Sequence, residues 1–340
     1  MTKPLTILVV CPWYPAGPMR YISEAFERMG LNVFRVGATY NDHAGVDWKN
    51  DIVHPDLELQ REFPRWDLNE FVDIATRAGH TPDILLLSEE NYRTIINPTT
   101  KVPTGFWSMD GWPQNFLRGD ALSPTVKYTN HARGIRAHPL KETPPGWIFM
   151  PGATAPWVHR DLAIGRNLDF CLLAAMYGYR AELSQHLADI GYAVKYGYET
   201  TSEFVKTYNR SKFTYCNVNG NGGEAKWRFW EAASCGCVNI VDEGDILLNQ
   251  LGYMPNVHYV PVKIAERENG EPWPTNEMLE EALNGAINDP DCFIEMSIVA
   301  KEKSLQQDTY YHRATQILGD LGFDISSISL ESRIRHDRLS

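Results

Sequence analysis

The residues best placed to do chemistry lie between Asn219 and Glu243. There, an apolar run of strand length, Phe213 to Val218, leads into Gly220-Asn221-Gly222-Gly223, and a helical pattern follows from Lys226 to Cys235. Glycines let the backbone approach a ligand closely and adopt left-handed conformations. A helix start offers free N–H groups and a partial positive charge, which favour phosphate. Arg228 and Glu231, three residues apart, share one face of that helix. A guanidinium can hold phosphate oxygens in a fork, and a carboxylate can accept from two neighbouring ribose hydroxyls. The window reads as a nucleotide site. A plainer reading also fits, in which the glycines only turn the chain and Arg228 and Glu231 form a surface ion pair.

The elements that must position these residues alternate between strand and helix. Leu5 to Val10 is a continuous apolar run, Met19 to Met29 reads as a helix stopped by Gly30, and Leu31 to Val36 is a second strand. Fully apolar strands in this order predict a parallel sheet covered on both faces. Residues 41–65 are polar and irregular. A helix at Asp67 to Ala78 and strands at Ile84 to Leu87, Val102 to Trp107, Val126 to Asn130, Gly134 to Ala137 and Trp147 to Met150 follow. Pro151-Gly152-Ala153-Thr154-Ala155-Pro156 reads as a junction between domains. A second round then runs through strands at Leu168 to Ala175, Val194 to Tyr196, Phe213 to Val218 and Val238 to Val241. Its helices are Arg180 to Ile190, Ser202 to Arg210, Lys226 to Cys235, Asn276 to Ile287 and a long one from Asp291 to Leu321. The expected architecture is α/β, with two doubly wound parallel-sheet domains, 1–150 and 151–325, facing across a cleft, and a polar, mobile tail at 326–340.

In such sheets ligands bind beyond the carboxyl ends of the strands, which brings further residues forward. Gly17 and Arg20, after the first strand, would close on a pyrophosphate from the opposite side of the cleft, or simply turn the chain. Asp110 follows the strand Val102 to Trp107 and precedes Gly111-Trp112, a position suited to a general base or to a turn. Glu89 and Glu90 end another strand and are weaker candidates, and His43 and His131 have no partner in the pattern. Tyr177 and Tyr179 flank Gly178 and are candidates to stack on a base or sugar. Arg180 opens the next helix, where an acid is more usual, and suits an anion. Trp107, Trp112, Trp227 and Trp230 can stack on sugars or pack in a core.

Over its 340 residues the chain is 43% hydrophobic and 22% charged, with a net charge of −11. That balance excludes disorder over most of the length. It also disfavours a general binder of nucleic acid or anionic membrane, since phosphate contacts need a basic surface. No run approaches the roughly 20 apolar residues of a membrane span, and the first ten residues lack a signal-peptide pattern, so a soluble, cytoplasmic protein is expected. Of the six cysteines, Cys11, Cys171 and Cys216 lie in apolar runs. Cys235 and Cys237, with no second pair or nearby His, read as a buried helix end rather than a metal site.

The segment Lys226 to Ile240 (Lys-Trp-Arg-Phe-Trp-Glu-Ala-Ala-Ser-Cys-Gly-Cys-Val-Asn-Ile) resembles the R-x-x-E-A-x-A-x-G segment of GT-B-fold glycosyltransferases, in particular the CgeB-like, spore-coat type. Phe170 to Arg180 resembles the strand, Gly and Arg that open that family's donor domain. Tyr208-Asn209-Arg210-Ser211-Lys212 resembles its Y-N-x-S-K helix end, and Thr309-Tyr310-Tyr311-His312-Arg313 its T-Y-x-x-R helix. The similarity covers 168–322, and in the N-terminal half only the general layout is shared. It implies a nucleotide-diphosphate-sugar donor, a UDP-sugar first, held by the C-terminal domain, with hexosyl transfer to a hydroxyl acceptor (small molecule, glycan or protein) held by the N-terminal domain. It implies no metal and no cofactor beyond the nucleotide-sugar substrate.

The candidate catalytic residues are Asp110, Arg228 and Glu231. The candidate donor and phosphate contacts are Gly17, Arg20, Tyr177, Gly178, Arg180, Gly222, Gly223 and Glu224, together with Arg228 and Glu231. Closure of the domains would exclude water and suppress hydrolysis of the donor. One departure matters. Retaining relatives carry two glutamates separated by seven residues; Glu231 fits the second, but Gly223 stands at the first and Glu224 is one residue off. The first carboxylate and the stereochemical outcome stay open. So do three rival readings. One is a non-catalytic binding or coat protein of the same fold. Another is a sugar-nucleotide epimerase of similar architecture. The third is a phage-type enzyme glycosylating hydroxylated bases in DNA, which would need a basic strip from Arg93, Lys101, Arg118, Lys127, Arg133 and Arg136.

Overall fold

The computed structural model describes residues 4–40, 51, 54–59, 66–88, 95–97, 100–109, 117, 119–130, 145–176, 178–216, 227–243, 246–268, 270, 272–326 and 329–339. The chain forms two compact units: Met1–Pro151 with Tyr310–Leu330, and Gly152–Thr309 with Glu331–Ser340. Each is built on a parallel sheet.

In the first unit the strands are β1 (Thr6–Val10), β2 (Asn32–Gly37), β3 (Leu57–Glu58), β4 (Ile84–Ser88), β5 (Thr104–Ser108), β6 (Val126–Thr129) and β7 (Trp147–Phe149). Their order in the sheet is β3-β2-β1-β4-β5-β6-β7, with every neighbour parallel. All five residues of β1, β4 and β5 are buried, as strands covered on both faces require. Two helices of this unit are α1 (Pro18–Arg28) and α2 (Leu68–Arg77). Pro18 sits at the first helical position, where its missing N–H costs nothing. The Asp67 side chain caps α2 by accepting from the Asn69 N–H at 2.9 Å. Leu8, Val10, Phe34, Leu85, Leu87 and Phe106 pack with Leu68 and Phe71 of α2 and with Trp147.

The second unit contains β8 (Leu168–Leu173), α3 (Arg180–Asp189), β9 (Val194–Gly197), α4 (Thr201–Arg210), β10 (Ser211–Cys216), α5 (Arg228–Ser234), β11 (Val238–Asp242), α6 (Ile246–Gln250) and β12 (Val260–Val262). Helices α7 (Asn276–Ile287) and α8 (Pro290–Gln307) follow. The sheet order is β9-β8-β10-β11-β12, again all parallel. Alternate residues of β8 serve two cores, as the pleat dictates. Phe170 and Leu172 pack with Leu183, Leu187, Leu279 and Leu283. Cys171 and Leu173 pack with Val205 and Tyr208 of α4 and Ala232 of α5. Cys235 and Cys237 belong to this second core, at the buried end of α5.

Several boundaries differ from the sequence expectation. The long helix expected from Asp291 to Leu321 is two, α8 and α9 (Tyr310–Asp320). It breaks at Asp308 and Thr309 because that backbone is engaged elsewhere: the Asp308 carbonyl accepts the Thr154 N–H at 2.8 Å, and Thr309 bridges Thr154. The Asp308 carboxylate accepts the Tyr253 hydroxyl at 2.7 Å. Residues 310–325 therefore do not complete the second domain as expected. Helix α9 belongs to the first unit, where Tyr310 packs on Tyr21 of α1 (ring centroids 5.4 Å apart) and Tyr128 donates to Asp320 at 3.1 Å. Arg313 donates to the Pro151 carbonyl at 3.0 Å.

The tail, expected to be mobile, is helical over α10 (Leu330–Leu339) and buries Ile334 and Asp337. Helix α5 is described over Arg228–Ser234, and Lys226, where it was expected to begin, lies outside the described residues. Strands β3 and β12 fall in stretches read as irregular, and the strand expected at Gly134 to Ala137 lies outside the described residues.

Gly152, the first residue of the second unit, has a packing reason. A Cβ there would sit 2.5 Å from Cζ3 of Trp230. Gly152→Ala should cost about 1–3 kcal/mol, the usual range for overpacking, read as a lower urea midpoint. A midpoint equal to the wild type would show that the segment can lift off Trp230 freely.

Candidate functional site

In the second unit the strand order reverses between β8 and β10, and doubly wound sheets bind ligands at the carboxyl ends of such strands. Beyond β8 runs the loop 174–179, and beyond β10 the segment 217–226. Gly222, Gly223 and Glu224 lie in the latter, outside the described residues, as do Tyr177 and Asp110. The site is therefore built from what flanks them.

The loop after β8 is held from below. Gly178 has φ +60°, a conformation that side-chain-bearing residues adopt at a cost. Arg180, 2% exposed, donates to the Ala175 carbonyl at 3.0 Å and lies 5.9 Å from the centroid of the Trp273 ring. It braces the loop from inside the unit. Tyr179 lies under the Arg267 guanidinium at 4.1 Å.

Helix α5 opens on Arg228, half-buried, and carries Glu231 one turn on. Glu231 is 9% exposed, which excludes a surface ion pair. No ion pair within 4 Å joins it to Arg228; among the described residues its basic neighbour at that range is His159, with Nε2 3.8 Å from Oε1. Burial pushes the Glu231 carboxyl up to about 7, and the Arg228 charge opposes the rise. Tyr208 of α4 faces the same place. Its buried hydroxyl has no hydrogen-bond partner among the described residues, and burial together with the Glu231 charge raises its pKa well above the usual phenol value. The arrangement is a buried carboxylate beside a cation, behind the strand-order reversal.

His159 was missed in the sequence because it belongs to no motif. It sits in a turn, Nδ1 accepting the Ala155 N–H at 3.1 Å, and is 4% exposed. The segments that resemble the family's motifs hold this region in place. The Asn209 amide donates to the Arg160 carbonyl at 2.9 Å and accepts the Leu162 N–H at 2.6 Å. Gly236 ends α5 at φ +72°, against Arg166, which donates to the Cys235 carbonyl at 3.0 Å.

In the first unit, Gly17 precedes Pro18 of α1 with ordinary φ of −89°. Arg20 donates to the carbonyls of Pro15 and Asp51 and pairs with Glu24 at 2.9 Å, so its guanidinium braces the loop after β1. Trp107 is fully buried. Of the basic strip a DNA substrate would need, Lys127 is paired with Asp120 at 2.5 Å and Lys101 is exposed; Arg93, Arg118, Arg133 and Arg136 lie outside the described residues, with Trp112, Glu89, Glu90, His43 and His131. A cavity of about 340 Å³ lies under α7 and α8, lined by Phe213, Val262, Met278 and Phe293 among others, and includes none of the candidate residues. No helix among the described residues is long and apolar enough to cross a membrane.

Residues 176–319 match the family described as "Glycosyl transferase-like". No curated protein matches the sequence. Among solved structures, the fold is similar to sucrose-phosphate synthase from Thermosynechococcus elongatus (TM-score 0.59, 12% identity, 92% of this chain and 97% of that one). It is also similar to a glycosyltransferase from Rickettsia africae (0.58, 9%, 94% and 98%). A third is HepE of Anabaena, solved in complex with UDP and glucose (0.57, 12%, 93% and 99%). At these identities the likeness is one of fold, and the fold is the GT-B type that the sequence motifs imply.

A carboxyl raised to about 7 in the folded state stabilises the protein when protonated, and that contribution is lost as the pH rises from about 4.5 through 7. Glu231→Gln should therefore gain stability over the wild type as the pH goes from 5 to 8, by roughly 3 kcal/mol. Urea titrations of both proteins at the two pH values check it; a difference that does not change with pH would mean Glu231 titrates normally.

Proposed function

We propose that this chain, of GT-B glycosyltransferase type by its fold and its match over 176–319, transfers a hexosyl group from a UDP-sugar to a hydroxyl acceptor. The observation that carries the reading is the buried Glu231 carboxylate one turn from Arg228 at the start of α5. Glu231 accepts from the ribose hydroxyls, and Arg228 forks the diphosphate oxygens. In transfer, the bond from the sugar's anomeric carbon to the diphosphate breaks, its electron pair leaves on the phosphate oxygen, and the acceptor oxygen bonds to that carbon. The acceptor's proton passes to Asp110 as general base. Arg228 and the N–H groups beyond Gly223 meet the charge that develops on the leaving group, which needs no metal.

Tyr177, Gly178, Gly222, Gly223 and Glu224 supply the walls of the donor site, with Arg180 fixing the loop that carries the first two. Gly17 and Arg20 shape the loop after β1 on the acceptor side. The four motif segments between Phe170 and Arg313 support a place in the CgeB-like branch.

A thermal-shift panel of UDP, GDP, TDP, CMP and ADP, with and without magnesium, tests the donor site. A nucleotide at about one hundred times its Kd stabilises the fold by about 2.7 kcal/mol, several degrees in Tm for a protein of this size. UDP should give that shift with or without magnesium. Arg228→Ala should lose the shift, and most of the turnover, while keeping the unliganded Tm. Turnover at the wild-type level in that variant would remove Arg228 from the mechanism, and no shift with any nucleotide would turn the reading towards a non-catalytic protein.

A further inference from the structure

A buried carboxylate held for hydroxyl recognition needs something that fixes which oxygen faces the ligand. Among the described residues no side chain of its own helix hydrogen-bonds Glu231, the buried Ser234 hydroxyl included. Arg228 acts on it only at longer range, and Cys235, one turn on, is a buried thiol. From α4 the Tyr208 hydroxyl faces it, and from the segment after Gly152 the His159 ring does.

The tautomer of His159 follows from its contacts. Nδ1 accepts the Ala155 N–H at 3.1 Å and lies 3.4 Å from the Thr154 hydroxyl, which leaves the ring proton on Nε2. Glu231 Oε1 lies 3.8 Å from that nitrogen, less than 1 Å beyond an ordinary hydrogen bond. The segment leading into the turn that carries His159 is anchored at two points. The Thr154 N–H is bound to the Asp308 carbonyl, and Gly152 packs on Trp230, the residue before Glu231. The ring and the carboxylate thus come from two rigid pieces that are themselves in contact.

We propose that His159 is a positioning residue for Glu231: its Nε2–H closes onto Oε1 when the carboxylate is ionised, stabilises that form, and leaves Oε2 free to accept a donor hydroxyl. The inference deepens the donor-site reading and rests on it for the identity of the hydroxyl. The contact with Glu231 does not depend on that reading.

The test uses two substitutions that divide the two functions of the ring. His159→Asn keeps an oxygen where Nδ1 caps Ala155 and removes the donor to Glu231. His159→Gln keeps a donor where Nε2 stands. The ionisation of Glu231 is read without ligand from the pH dependence of its carboxyl carbon-13 resonance, assigned with Glu231→Gln. His159→Asn should raise the midpoint by about half a pH unit or more, and His159→Gln should bring it back towards the wild type. A midpoint unmoved by His159→Asn overturns the proposal. If His159→Asn does not fold, His159→Ser takes its place, since it too removes the donor to Glu231: a midpoint raised by about half a unit or more supports the proposal, and an unmoved one overturns it.

UDP binding by calorimetry, at a pH above the Glu231 midpoint, then separates the two levels. UDP affinity should fall about five-fold or more in Glu231→Gln and by a smaller factor in His159→Asn. A shifted midpoint with UDP affinity unchanged in Glu231→Gln leaves His159 as the positioning residue and overturns the ribose reading alone.

Discussion

The hydrogen bond from the Thr154 N–H to the Asp308 carbonyl is short in reach and wide in effect. It joins the segment that opens the second unit to the segment that closes its main run, at two of the three points where the chain passes from one unit to the other. With Thr154 held there, Gly152 lies flat on Trp230 and the turn Ala155 to His159 is set at one height above α5. Asp308 extends the same constraint inward. Its carboxylate takes the Tyr253 hydroxyl, and the Tyr253 ring meets Phe229 edge to face at 4.9 Å, next to Arg228. The residues around Glu231 are therefore fixed from the sheet side and from the connecting segments together.

The site itself is an electrostatic compromise. A carboxylate 9% exposed is costly to ionise, and the helix that carries it has only seven residues with which to compensate. Arg228 lowers the cost through space without a direct pair, and the neighbouring phenol of Tyr208 is itself pushed towards its neutral form. Such an acceptor is poised near neutral pH and is completed by whatever donates to it. That suits a site whose ligand brings hydroxyl groups.

Much of the architecture was legible in the sequence because the parallel strands are buried on both faces and read as largely apolar runs: Thr6–Val10 and Ile84–Ser88 are the plainest. The spacing of Arg228 and Glu231 was legible for the same local reason, as a single turn of helix. What failed was set by contacts distant in sequence. Asp308 and Thr309 carry no breaker residue, and the helix stops there because Thr154 and Tyr253 claim them. Strands β3 and β12 are too short to show a pattern and exist by pairing with β2 and β11. Arg20 and Arg180 were read as anion contacts from their place at helix starts; that Arg20 also donates to the Pro15 and Asp51 carbonyls, and Arg180 to the Ala175 carbonyl, shows only in the folded chain. His159 had no sequence signal beyond its spacing from Ala155, and its chemistry emerges only when α5 is brought beside it.

The path of the chain has a consequence for how the protein is made. Helix α9 covers α1 through Tyr310 and Tyr21, yet it is synthesised after the whole of the second sheet. Domains generally fold as units from the N-terminus as the chain emerges. Here the first sheet leaves the ribosome early but must wait, with one face of α1 uncovered, for a helix nearly 300 residues downstream. The second unit holds all five strands of its sheet before that helix appears, but its own segment Glu331–Ser340 comes later still, so each unit is closed by a piece made after both sheets.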